Sequence, residues 1–183
     1  SQKQIQFFTA EGEPKGSAIT TAGDIGVLTE VLSDGSLIVV WGILSNANDP
    51  KGFQRYDSDG QAIGPAFTFP DDNVSIEGIT LLKDGGFAIA TEPFNGDNIM
   101  RIYQFDKNAN LEAGKTIEID PTDFGSNVYA KKSSLVELEN GDIQVVWENY
   151  KSSRSDIMTQ TFNADGSSKG NVAKHGPKVL FED

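Results

Sequence analysis

Carboxylates and side-chain amides are the main chemical stock of this chain, and they gather in the polar stretches between apolar runs. Asn46, Asn48 and Asp49 form one such group, Asp71, Asp72 and Asn73 a second, and Asn95, Asp97 and Asn98 a third; Asp120, Asp123, Tyr150 and Arg154 complete the set. Oxygen donors in this density suit a hard cation such as Ca²⁺ or the hydroxyls of a sugar. Asp71, Asp72, Asp120 and Asp123 are the candidate metal ligands. Asn48, Asp49, Asp72, Asn73, Asp97, Asn98, Tyr150 and Arg154 are the candidate ligand-binding surface. The same residue types are also the commonest turn formers, and solvated loops are the plainer explanation of any one of them.

Other chemistry has less to build on. Asp57-Ser-Asp-Gly60 and Asn163-Ala-Asp-Gly166 look like pieces of calcium loops, yet each lacks the further ligands and closing Glu of an EF-hand, so a hairpin turn accounts for them. Glu92 and Glu148 hold matching places in the repeat described below and form a candidate carboxylate pair for glycoside hydrolysis. His175 is the only histidine, read as an exposed loop residue, so a Ser-His-Asp triad or a multi-histidine metal site finds no material. Trp41 and Trp147 offer faces for stacking on a sugar or for packing between units, and Tyr56, Phe105 and Phe162 suit the packing role.

Composition narrows the classes. Fifteen basic against 27 acidic side chains give a formal charge of −12, which repels nucleic acid and anionic lipid. The absence of cysteine excludes disulfides, thiolate zinc sites and cysteine nucleophiles. No apolar run approaches the roughly 20 residues that span a bilayer as a helix, so no membrane insertion is expected. A hydrophobic fraction of 37% over 183 residues suits a folded domain.

The elements that must position these groups recur. Leu32-Ser-Asp-Gly-Ser-Leu-Ile-Val-Val-Trp41 returns as Leu82 to Thr91 and as Leu138 to Trp147, with turn glycines Gly35, Gly85 and Gly141 separated by 50 and 56 residues. Arg55-Tyr-Asp-Ser-Asp-Gly60 returns around Glu11-Gly12, Gln104 to Asn110 and Gln160 to Gly166. A period of about 50 residues with Asp-Gly turns and little helical periodicity predicts an all-β chain: a β-propeller-like repeat of four-stranded antiparallel blades, with a β-trefoil as the competing fold. The expected division is a partial blade at 1–23, blades at 24–70, 71–120 and 121–174, and a terminal strand at 175–183, all within one repeat domain. Expected strands include Ser17 to Thr21, Lys115 to Ile119, Ser133 to Leu138 and Asn171 to Ala173. Because the units at both ends are incomplete, the chain reads as part of a longer protein or as a protomer of a homo-oligomer.

The pair of motifs, Leu-x-Asp/Asn-Gly followed by an apolar strand ending Val-Val-Trp, and Phe/Tyr-Asp/Asn-x-Asp-Gly-x-x-x-Gly, resembles the repeats of about 50 residues in very large secreted bacterial surface proteins. That resemblance covers nearly the whole chain and implies a propeller-like fold, an extracellular or cell-surface location and an adhesion or binding role. The second unit departs from it, with Thr91 in place of Trp and Asn108-Ala-Asn110 in place of Asp-Gly, and the calcium nonapeptide is absent. The expected function is a non-catalytic extracellular module that binds a glycan or cell-surface ligand through its variable loops. A structural self-assembling repeat and a carboxylate-based glycoside hydrolase are the alternatives.

Overall fold

A single kind of tight turn organises the chain. Its first residue donates its N–H to the carbonyl of the fifth, and the fourth donates back to the first, as in Leu32/Ser36 with Gly35 and in Asn163/Ser167 with Gly166. The pattern recurs at Thr9, Asp57, Leu82, Asp106 and Leu138. The fourth residue must take a positive φ, from 78° at Gly60 to 89° at Gly85, which glycine accepts without the steric cost of a Cβ. At the one non-glycine copy, Ala109 is held at φ 66°.

These turns fold the computed structural model, which describes residues 4–20, 27–42, 51–70, 74–93, 99–124, 129–151 and 154–176, into antiparallel sheets. Strands β1 (Gln4–Phe8) and β2 (Pro14–Thr20) form an N-terminal pair. The first full sheet is β3 (Val27–Val31), β4 (Leu37–Trp41), β5 (Gly52–Tyr56) and β6 (Ala62–Thr68). The second is β7 (Val74–Leu81), β8 (Phe87–Pro93), β9 (Met100–Phe105) and β10 (Ile117–Ile119). The third is β11 (Tyr129–Glu137), β12 (Ile143–Lys151), β13 (Arg154–Phe162) and β14 (Ser168–His175). In each full sheet the strands pair in chain order, and each described strand pairs only within its own unit. The shared barrel that a β-trefoil would require is not formed by the described strands.

The sheets pack face to face. Ile38 and Val40 of β4 look onto the second sheet and meet Phe87, Ile89 and Phe105, all fully buried. Alternate residues of β8, Ala88 and Ala90, look the other way and meet Ile143, Val145 and Trp147 of the third sheet. Period-two alternation thus sends successive β8 residues into two different cores. Rings thicken the first interface: Phe53 sits edge-on to Phe105 at 4.9 Å between centroids, and Phe105 stacks on Phe87 at 5.0 Å. Each such buried ring contributes about 1.5–3 kcal/mol. The sheets approach most closely through their first strands, β7 lying against both β3 and β11.

Trp147 is buried between the second and third sheets and Trp41 is also buried, so packing occupies both indoles. Phe105 and Phe162 fill the two interfaces at equivalent register, opposite Phe87 and Ile143; Tyr56 holds that register opposite Leu37 and is half-buried.

Several elements differ from expectation. β11 begins at Tyr129 rather than Ser133, because a bulge between Lys131 and Ser134, with Lys132 at φ 50°, carries the pairing past the break in alternation. β2 begins at Pro14 and β14 runs from Ser168 to His175, both longer than their apolar content suggests. His175 is therefore on a strand and not in a loop; its Nε2 lies 3.0 Å from the Thr159 hydroxyl. The linker after the second sheet forms a 3-10 turn, Pro121–Phe124. Among the described residues no helix is long and apolar enough to cross a membrane.

Candidate functional site

The turns that close β1–β2, β3–β4, β5–β6 and their later counterparts share one rim, where neighbouring units touch. Lys15 pairs with Asp59 at 2.9 Å, and Lys83 donates from its backbone to Glu137 and from Nζ to the Leu138 carbonyl. Several acids on this rim are engaged in the turns themselves. Asp57 accepts from the N–H groups of Asp59 and Gln61 at 2.9 and 2.8 Å. Hydrogen bonds from Ser36 and the adjacent Arg55 guanidinium hold the Asp34 carboxyl below the usual carboxylate range, and Ser167 does the same for Asp165. The calcium-loop pieces at Asp57–Gly60 and Asn163–Gly166 are hairpin turns of this kind.

The opposite rim carries the other strand ends. Here the second and third sheets bring together a charged cluster around Lys132. The bulge in β11 turns the Lys132 N–H toward Glu92 Oε2, at 3.4 Å, while its Nζ reaches Glu148 Oε2 at 3.1 Å. Glu92 stands at the end of β8, and Glu77, displaced by a bulge in β7 between Ile76 and Gly78, adds a like charge beside it. Burial, and then Glu77, push the Glu92 carboxyl up to about 7. Glu148 is held below its ordinary value by the Ser155 hydroxyl and by Lys132. Lys131 lies with Nζ 5.2 Å from the centre of the Tyr150 ring, a cation–π contact.

The two carboxylates that hold matching repeat positions are thus linked through one lysine and differ in protonation near neutral pH. Such a cluster can donate and accept hydrogen bonds and exchange a proton. At the corresponding place the first sheet has Gly42, at φ 97°, with Lys51 packed against it, so among the described residues the cluster belongs to the second and third units.

The other candidates fall as follows. Tyr150 is half-buried on this rim, cross-strand from Tyr129. Arg154 opens β13 through its backbone, paired with Lys151. Asp120 caps the 3-10 turn, accepting from the Thr122 N–H at 2.8 Å and from its hydroxyl at 2.6 Å, while Asp123 is exposed in that turn. Asn46, Asn48, Asp49, Asp71, Asp72, Asn73, Asn95, Asp97 and Asn98 lie outside the described residues. Among the described residues no three or more His, Cys, Asp or Glu side chains are grouped to hold a metal ion.

Sequence reasoning missed Lys132, Glu77 and a structural glutamine. Gln6 and Gln54 sit where the fourth strand of the unit carries two extra residues, and each Nε2 fills that bulge by donating to carbonyls across it: Gln6 to Lys15 and Gly16, Gln54 to Ile63 and Gly64. Gln160 holds the same place and donates to Ser168 Oγ. A glutamine three residues ahead of the turn in three of the four units was the readable signal.

Compared with protein-family models and with curated proteins, the chain matches none.

Proposed function

We propose that this chain is a non-catalytic binding module of propeller-like build, acting at a bacterial cell surface, with its ligand engaged on the rim opposite the repeated turns. The observation that carries the reading is the contrast between the two rims. One repeats the same hydrogen-bonded turn and engages Asp34, Asp57, Asp84, Asp106 and Asp165 within it. The other assembles Glu92, Lys131, Lys132, Glu148 and Tyr150 from two sheets and has no copy among the described residues of the first unit. Variation confined to one end of a repeated scaffold is the usual mark of recognition. The closest approach of the sheets along their first strands is also how propeller blades fan about an axis.

Paired carboxylates, lysines and a tyrosine suit the hydroxyls of a glycan. Ca²⁺ is the cofactor this reading allows, through Asp71, Asp72, Asp120 and Asp123. A glycan array run with and without EDTA tests it: binding that weakens at least tenfold in Tyr150→Ala, with the fold intact, supports the reading, and no binding in either condition overturns it.

A second reading rests on the protonation difference between Glu92 and Glu148, which in a glycoside hydrolase would make Glu92 the acid and Glu148 the ionised partner. The ion pair with Lys132 engages Glu148 and weighs against a free nucleophile. Hydrolysis of any glycan that disappears in Glu92→Gln would favour the enzyme.

A further inference from the structure

We propose that the outer face of the third sheet docks a second copy of this chain, head to tail, onto the face presented by that copy's N-terminal β1–β2 pair. The template is an interface that occurs twice within the chain. On β4, Ile38 and Val40 face the following sheet and are completely buried; on β8, Ala88 and Ala90 do the same. The equivalent residues of β12, Gln144 and Val146, are only half-buried. On the first strands, the Thr80 hydroxyl donates across the interface to the Leu135 carbonyl at 2.8 Å, while its counterpart Val136 is 49% exposed. Ile157 on β13 shares that outer face and is 44% exposed.

The other end of the chain offers the complementary half. In the second and third sheets the residue just before the third-to-fourth-strand turn points toward the preceding sheet. Phe105 does so against Phe53 and Phe67, and Phe162 does so within the core between the second and third sheets. Phe8 precedes the Thr9 turn in the same way, its neighbour Phe7 faces Gly60 of the first sheet, and Phe8 is 59% exposed. An aromatic side chain at one end and an uncovered Val–Val–Ile face at the other are the two sides of the contact that the chain already makes internally. Such a contact is heterologous, so repeated copies close into a ring or extend as a fibre. The proposal does not depend on what the loop rim binds.

Sedimentation velocity of the full chain over a concentration series tests it, with circular dichroism to confirm that each variant keeps its fold. The expected results are a mass that rises with concentration and at least a tenfold weakening of association in Val146→Asp and, separately, in Phe8→Asp. Mixing the two variants restores association but halts it at a dimer, because each supplies one intact end. A strict monomer at every concentration overturns the proposal, and so does undiminished self-association of Phe8→Asp, which would mean that third sheets pair with each other.

Discussion

Glu92 ties the rim cluster to a pH-dependent stability. Its folded value, about 7, lies above the ordinary 4.5, so its contribution is fully present below the ordinary value and is lost as pH rises through the folded one. Glu92→Gln removes the ionisation. We expect the variant to match the wild type at pH 4 and to exceed it at pH 8 by on the order of 1 kcal/mol, the full shift being discounted because the group is half-exposed; urea denaturation at the two pH values measures this. Equal differences at both would remove Glu92 as the titrating group. The repeat pairs Glu92 with Glu148 on sequence alone. Lys132 and Glu77 escape such reading because β-bulges place them, and a bulge breaks the alternation by which a strand residue's direction is inferred.

At the level of elements, the turns were the legible part. A glycine preceded by Asp, Asn or Glu marks six of the seven described hairpins of this kind, and the seventh carries alanine in the same geometry. Gly35 has open space where a Cβ would project, so Gly35→Ala isolates the conformational cost and should destabilise by about 1 kcal/mol. Ala109→Gly should do the opposite by less than about 1 kcal/mol, since relief at φ 66° is partly offset by lost contact with the aromatic core and by greater freedom of the unfolded chain. Thermal melts of the two variants decide this, and a loss of stability in Ala109→Gly would contradict it. Gln54→Ala strips the donor from the Arg55, Ile63 and Gly64 carbonyls and should cost about 1–3 kcal/mol by chemical denaturation. Strand ends were less legible: β2 and β14 run beyond their apolar residues because backbone pairing across a bulge, and not burial, extends them.

For the molecule as a whole, self-similarity announced the four-stranded units, since each turn and each buried strand recurs at a fixed place. Which sheet covers which was not legible, because Ala88 and Ala90 read as weak strand residues until the bulky Ile143, Val145 and Trp147 are seen opposite them. The polar rim was legible only as a list of residue types: loops without a repeat carry no internal comparison by which position could be weighed. Serial stacking gives the sheets unequal protection, in keeping with repeat proteins whose stability comes from neighbouring units. Native-state amide hydrogen exchange on the dilute chain reads this out residue by residue. The stacked arrangement requires β8, covered on both faces, to exchange most slowly, β12, covered on one, to exchange faster, and β1–β2 to be fastest. Protection of β12 or β1–β2 equal to that of β8 would contradict it.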